Sequence, residues 1–212
     1  MMRQSANDTL ASYIEAVASG APTPGGGSVV AVVAALAAGL GEMVCNLTLG
    51  RPAYAAAEVE CQAAKAQLEA LRARLLAAAG EDEAAYRDYR AATALPKGND
   101  EEQGRRAAAI QSALTTATDV PLAVAVACIE VAETLEPVAR LGNRHALSDA
   151  RIGALLAGAA LRGALLNVSG NAAMLRDAAA ATAYRERADE LERLGTQAVQ
   201  RVLDRASDRA AT

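Results

Sequence analysis

From Val29 to Gly41 every residue is Val, Ala, Leu or Gly, and no charge interrupts the chain between Pro22 and Glu42. Immediately before this run stands PTPGGGS, Pro22 to Ser28, with two prolines and three consecutive glycines. Side chains this small each bury little apolar surface, so such a segment stabilises a fold only where neighbouring backbones come close. The rest of the chain agrees. Hydrophobic residues make up 52% of it but aromatics only 2%, with no Trp and no Phe. The core must therefore be built from Ala, Leu and Val.

The apolar period is helical almost throughout. Helices are expected over residues 6–19, capped by Asn7 or Asp8, and over 28–49, capped by Ser28 or Thr23. A third is expected over 53–79, where Cys61, Ala64, Leu68, Leu71 and Leu75 recur in steps of three and four. Others are expected over 81–94, ending at Pro96, and over 100–118, 120–140, 148–174 and 182–206. No run alternates with period two for long enough to make a strand, and no long linker divides the chain. The expectation is a single all-α domain over residues 1–212, an antiparallel helical bundle of long small-residue-rich helices.

The 212 residues carry a net charge of −4. An acidic chain with so few aromatics lacks the basic stripe and stacking rings of a nucleic-acid binder. Cys45, Cys61 and Cys128 are odd in number and form no C-x-x-C pair, which argues against a disulfide framework or zinc site and for a reducing compartment. One histidine, His145, excludes a multi-histidine metal site. The N-terminal stretch carries Asp8 and Glu15 and has no signal-peptide core, so a cytoplasmic location is expected. The Val/Ala segment, once its Pro and Gly positions are set aside, is expected to be shorter than the ~20 residues a bilayer needs. The triplets Asn46-Leu47-Thr48 and Asn167-Val168-Ser169 match a glycosylation pattern but sit in apolar segments and are read as chance.

Four stretches carry candidate chemistry. PTPGGGS reads either as a turn that lets a ligand touch backbone ahead of an anion-favouring helix N-terminus, or as a tight turn where another helix crosses. It is neither a Walker loop nor a dinucleotide fingerprint, since no Gly-Lys-Ser/Thr follows and no strand precedes it. In ALPKGN, Ala94–Asn99, Lys97 follows a helix-ending Pro96 and is either solvated or a point charge for a substrate carboxylate. In GNRHALSDA, Gly142–Ala150, Ser148 and Asp149 suit helix capping, while Asp149 also suits acid/base work and His145 a proton shuttle. Asn167 and Asn171 lie four apart on an apolar helix bearing Gly163 and Gly170, and their amides need partners. Asp82 and Glu83, near Tyr86, form a further acidic candidate.

Taken together, APTPGGGSV, EMVCNLTLG, DEAAY, LPK, RRAAAIQSAL, VPLAVA, GNRHALSDA and LLNVSGN resemble, in order and spacing, the formiminotetrahydrofolate cyclodeaminase / methenyltetrahydrofolate cyclohydrolase family over nearly the whole chain. The resemblance implies an all-helical homodimer acting on one-carbon-substituted tetrahydrofolates without metal or nucleotide. It implies that Gly25, Gly26, Gly27, Ser28, Asn46, Lys97, Asn143, Asp149, Asn167 and Asn171 lie at or near the folate site, and that Asp82 matches a family acidic position. His145 falls on no family motif residue, and Ala94 stands where the family often has Arg. Asp149, Lys97 and Asp82 are the expected catalytic residues. Gly25, Gly26, Gly27, Ser28, Asn46, Asn143, Asn167 and Asn171 are the expected substrate-binding ones.

Two reactions follow from the resemblance. The cyclodeaminase closes 5-formiminotetrahydrofolate to the 5,10-methenyl form and expels ammonia, which needs a proton donor. The cyclohydrolase adds water to the methenyl carbon and opens the ring to 10-formyltetrahydrofolate, which needs a base. The contrasting reading is a non-catalytic helical folate-binding or scaffold protein.

Overall fold

The computed structural model describes residues 9–210. Six α-helices account for most of them: α1 Leu10–Ala18, α2 Gly26–Asn46, α3 Glu58–Thr93, α4 Asp100–Leu141, α5 Leu147–Ala172 and α6 Ala178–Ala210. No strand occurs among the described residues. Helices α2, α3, α4 and α5 form a ring in which each packs on the next, and α6 lies in the outer groove between α4 and α5.

Small residues set the approach between these helices. A Cβ on Gly41 would stand 2.6 Å from the Leu135 side chain of α4 and 2.7 Å from Leu68 of α3. One on Gly163 would meet Val30 at 2.5 Å, and one on Gly195 would meet Leu161 at 2.0 Å. Leu68, Leu75, Leu135 and Val44 are fully buried among a larger number of alanines. The close contacts also fix direction. Gly27 faces Asp82 and Gly41 faces Leu68 on α3, while Val30 faces Gly163 and Leu40 faces Gly153 on α5. Helix α2 therefore runs antiparallel to both neighbours.

Several expected boundaries are corrected. The break at residue 80 does not exist, because α3 runs unbroken through Gly80. A helical glycine costs ~1 kcal/mol relative to Ala, and burial of Leu75, Ala78, Ala79, Glu83 and Ala85 on either side outweighs it. The expected break at residue 119 is also absent: α4 runs 42 residues with Pro121 and Pro137 inside. Pro121 has no N–H for the carbonyl of Ala117 four residues earlier. Asn171 of α5 supplies the missing donor, its Nδ2 reaching Ala117 O at 2.6 Å. The segment from residue 53 begins as a short 3-10 turn, Pro52–Ala57, before α3 starts. Gly25 precedes α2 without a side-chain cap, and Ser28 and Thr23 do not cap it. Asn7 and Asp8 lie outside the described residues, and Thr9 caps α1 through Ser12 N–H at 3.3 Å.

The length expectation for the Val/Ala segment is corrected too. Three stretches, Gly26–Asn46, Asp100–Leu141 and Arg144–Ala172, are long and apolar enough to cross a membrane. In the bundle about half of each apolar window is buried against other helices, 56%, 50% and 44% respectively.

The Pro121–Asn171 compensation is open to a double-mutant cycle. Asn171→Ala leaves the Ala117 carbonyl short of a donor and is expected to cost ~1–2 kcal/mol by chemical denaturation. In a Pro121→Ala background the backbone N–H returns and the cost of Asn171→Ala should shrink by ~1 kcal/mol. Strict additivity would remove the compensation.

Candidate active site

The chain between Pro52 and Thr93 is longer than α2, and so is α4. At 1.5 Å per residue, α3 continues about 16 Å beyond Asp82, which sits level with the start of α2. The first half of α4 accompanies it. The α3–α4 hairpin thus overhangs the N-terminus of α2 and the C-terminus of α5, and the shelf encloses a cavity of about 240 Å³. Its walls include Gly25 just before α2, Gly26 and Gly27 at its start, Asp82, Tyr86 and Tyr89 from α3, Leu114 and Ala117 from α4, Asn167 and Asn171 from the end of α5, and Met174 just beyond it.

The glycines are needed for space and not for backbone handedness. Only Gly50 takes a positive φ among the described residues. A Cβ on Gly27 would lie 1.9 Å from Asp82 Oδ1, so the carboxyl group rests directly on the Gly27 backbone. Gly26 is different: a Cβ there meets nothing within 4 Å and would point into open space.

Asp82 is half-buried against the first turn of α2. Burial raises its pKa, a backbone hydrogen bond from Ser28 draws it back, and the charge of Glu83 raises it further. The burial effect prevails, so this carboxyl holds its proton above the ordinary aspartate range. Behind it lies a polar network. The Tyr13 hydroxyl and Ser28 Oγ are 3.0 Å apart, and Ser28 Oγ donates to Glu83 Oε1 at 3.4 Å. Burial pushes the Tyr13 phenol up as well.

The expected site residues divide into groups. Gly25, Gly26, Gly27, Asp82, Asn167 and Asn171 line the one cavity. Ser28 is fully buried behind it, with its hydroxyl turned to Tyr13 and Glu83 instead of the cavity. Lys97 lies on a neighbouring cavity with Arg106 and Arg176. Asn46, Asn143 and Asp149 do not join them in the chain. Asn46 ends α2, about 30 Å along the axis from Gly26, and Asp149 begins α5, about 33 Å from Asn171. Asn143 is an internal clasp: its N–H donates to Thr48 Oγ1 at 2.8 Å, Nδ2 to Leu47 O at 3.0 Å, and Oδ1 accepts from the Tyr54 hydroxyl at 3.1 Å and His145 N–H at 3.0 Å. That clasp caps a 3-10 turn, Arg144–Ala146, and α5 starts at Leu147, so Ser148 and Asp149 fall within the first turn and are not its cap. His145 is exposed at this far end.

Tyr89 escaped the sequence reading, although Asp82, Tyr86 and Tyr89 fall on one helix face by their spacing. Leu114, Ala117 and Met174 leave no signal in the sequence, since only packing brings them to the cavity. Among the described residues no three His, Cys, Asp or Glu side chains are grouped to hold a metal ion.

A profile of the formiminotransferase-cyclodeaminase family matches residues 9–190. The chain belongs to that family. It is 44% identical over 192 residues to the methenyltetrahydrofolate cyclohydrolase of Methylorubrum extorquens, covering 91% of each chain. It is 32% identical to the formimidoyltransferase-cyclodeaminase of Sus scrofa, matching 95% of this chain but only 37% of that longer protein. The crystal structure of formiminotetrahydrofolate cyclodeaminase from Thermotoga maritima superposes with a TM-score of 0.85 at 29% identity, covering 96% of this chain and 98% of that one. The all-α bundle expected from the sequence is therefore the family fold.

Two outcomes follow from the Gly27–Asp82 contact. Gly27→Ala must displace the carboxyl or the helix and should cost ~1–3 kcal/mol, the range for overpacking, whereas Gly26→Ala should fold with little change. Calorimetry of both variants compares them. The raised Asp82 pKa means the native state holds this proton more tightly than the unfolded chain. Its contribution to stability is thus full below the ordinary aspartate value of 3.8 and is lost as pH rises through the raised one. Asp82→Asn, which keeps an oxygen for the Ser28 N–H, should match or exceed wild-type melting temperature at pH 7 and lose that slope.

Proposed function

We propose that this chain is a folate one-carbon enzyme working in the α2–α5 cavity, with methenyltetrahydrofolate cyclohydrolase activity as its reaction. The observation that carries the reading is the half-buried Asp82, its pKa raised by burial, held on the Gly27 backbone in a cavity flanked by two tyrosines and two asparagines. Hydrolysis of a methenyl bridge needs one group that takes a proton from water and returns one to the departing ring nitrogen. A carboxyl whose pKa lies nearer the working pH does both more efficiently than an ordinary aspartate. Tyr86 and Tyr89 suit the faces of a flat heterocycle. Asn167, and the Oδ1 of Asn171 left over after Nδ2 is used on Ala117, suit its polar edge. Water attacks the amidinium carbon as the Asp82 carboxylate accepts one of its protons; Asp82 then returns that proton to the departing ring nitrogen as the carbon–nitrogen bond breaks, and the remaining hydroxyl proton passes to solvent as the formyl C=O forms. The 44% identity with the Methylorubrum cyclohydrolase supports this reaction.

The second reading is the cyclodeaminase, favoured by the close superposition on the Thermotoga enzyme. There the same Asp82 delivers its proton to the leaving ammonia. Either reading uses no metal or nucleotide, only the tetrahydrofolate derivative as substrate. In this reading the enzyme is a soluble cytoplasmic homodimer and binds no nucleic acid. Leu36 on α2 and Ile152, Leu155 and Leu166 on α5 are exposed, and a second copy would cover such apolar side chains. A monomer in sedimentation at micromolar concentration, or partition into detergent micelles, would count against that assembly.

Purified protein given each substrate separately decides the reaction. Loss of methenyltetrahydrofolate absorbance, unaffected by chelator, is expected; its appearance from the 5-formimino substrate would select the deaminase, and neither change would return the scaffold reading. Asp82→Asn should bind folate and turn over at least ~100-fold more slowly. Asp149→Asn should stay near wild type, and a comparable loss there would move the proton chemistry to the far end.

A further inference from the structure

Asp82 and Glu83 are neighbours on α3, and their side chains leave the helix about 100° apart. Gly27 and Ser28 are neighbours on α2 in the same way. The two helices meet with these pairs matched. Asp82 rests on Gly27 and faces the cavity, while Glu83 turns behind the first turn of α2 and meets Ser28. Ser28 serves both acids: its backbone N–H bonds to Asp82, and its hydroxyl donates to Glu83 Oε1 at 3.4 Å. The reaction assigned to the cavity uses Asp82 and leaves Glu83 without a part.

The hydrogen bonds have a direction. Ser28 has one hydroxyl proton, and it goes to Glu83. The Tyr13 hydroxyl, 3.0 Å from Ser28 Oγ, is therefore the donor to that oxygen. Burial pushes the Tyr13 phenol up, the Ser28 bond draws it back, and the charges of Glu83 and Asp82 add to the rise, so the phenol stays a donor. The chain of bonds runs from α1 through α2 to α3 and ends on a carboxyl group. All three side chains are buried, and Tyr13 is the buried residue of α1.

The other buried polar side chains among the described residues brace the fold. Glu42 pairs with Arg72, Thr48, Thr118 and Thr134 return their hydroxyls to carbonyls four residues back, and Asn143 is the clasp at the far end. Glu83 instead sets a negative charge beside a carboxyl that burial has already lifted. No other charged side chain reaches Asp82 from the cavity walls. Helix α2 brings glycines, α4 brings Leu114 and Ala117, α5 brings Asn167 and Asn171, and the remaining titratable groups are the phenols of Tyr86 and Tyr89 on α3.

We propose that Glu83, oriented through Ser28 by the Tyr13 hydroxyl, is a positioning residue for Asp82: Ser28 holds both carboxyl groups, and Glu83 controls proton exchange at Asp82. For its effect on turnover the proposal rests on the folate reading; the coupling of the two acids rests on the geometry. A negative neighbour disfavours the Asp82 anion, so removing that charge lets Asp82 ionise at lower pH.

Glu83→Gln keeps an oxygen for the Ser28 hydroxyl and removes the charge; Glu83→Asp keeps the charge. The Asp82 carboxyl carbon is followed by NMR across pH in the ligand-free protein. Its midpoint should fall by about half a pH unit or more in Glu83→Gln and stay nearer wild type in Glu83→Asp. Tyr13→Phe keeps the ring but withdraws the donor from Ser28. Glu83 then holds its charge less firmly, and the Asp82 midpoint should fall by less. The acid limb of kcat/KM for the methenyl substrate should follow the midpoint in each variant. A purely structural role would lower the melting temperature and leave midpoint and limb in place. A midpoint unchanged in Glu83→Gln or moved equally by Glu83→Asp, or an acid limb that stays put while the midpoint moves, would overturn the proposal. If Glu83→Gln does not fold, an unchanged midpoint in Tyr13→Phe overturns it. If the wild type turns over no folate, the NMR titration decides alone: a midpoint that falls in Glu83→Gln keeps the coupling while the folate reading falls.

Discussion

The approach of α2 to its neighbours governs this molecule. Helix α2 touches α3, α4 and α5, and at its points of closest contact the residue on one side is glycine. Gly27 carries the Asp82 carboxyl, and Gly41 receives Leu68 and Leu135. On α5, Gly153 approaches the Ala37 carbonyl, where a Cβ would stand 3.2 Å away. Attraction between small side chains is weak per atom and falls steeply with separation, so an alanine core is stable only at short interhelical distance. The same closeness that makes the core cohere presses a carboxyl group onto a helix N-terminus and removes water from around it. Packing and the electrostatics of the cavity here share one cause.

Helix lengths do the rest. The 36 residues of α3 and 42 of α4 outreach the 21 of α2 and 26 of α5, and the excess makes the shelf under which both cavities lie. A helix as long as α4 must pass two prolines. At Pro121 the freed carbonyl is taken up by Asn171, a residue that also faces the cavity. One amide therefore joins two helices through its nitrogen and also lines the cavity. Residues that look purely functional in such a pocket are also structural, and losses on their replacement combine both effects.

The two ends of the bundle differ in chemistry. One end gathers Asp82, two tyrosines, two asparagines and, beside them, Lys97, Arg106 and Arg176. The other is held shut by Asn143, whose hydrogen bonds tie the loop after α2 to the loop before α5. A buried amide with all its main bonding directions occupied inside the protein is a brace, since a ligand would have to displace partners already in good geometry. That is why the GNRHALSDA stretch, full of polar residues, builds a turn and leaves the cavity to other segments.

The sequence by itself determined that the chain is helical, that its core is made of small residues and that PTPGGGS precedes a helix other elements approach closely. These are properties of local spacing and side-chain size, and both are written residue by residue. Family resemblance carried the fold further and named Asp82, Asn167 and Asn171 among residues that the structure does bring to one cavity. Local signals failed at Gly80 and Pro121, where each residue's own preference for a break was outweighed by partners dozens of residues away. Which polar residues share a cavity was likewise not in the spacing. Asp149 and Asn171 sit on the same helix and look equally functional, yet helix rise places them at opposite ends, and Tyr89, Leu114 and Met174 reach the site only through the lengths and crossings of four helices. Only tertiary structure decided that Asp82 rests on Gly27 and that Glu83 lies buried against Ser28, because burial and charge balance belong to the assembled bundle and to no segment within it.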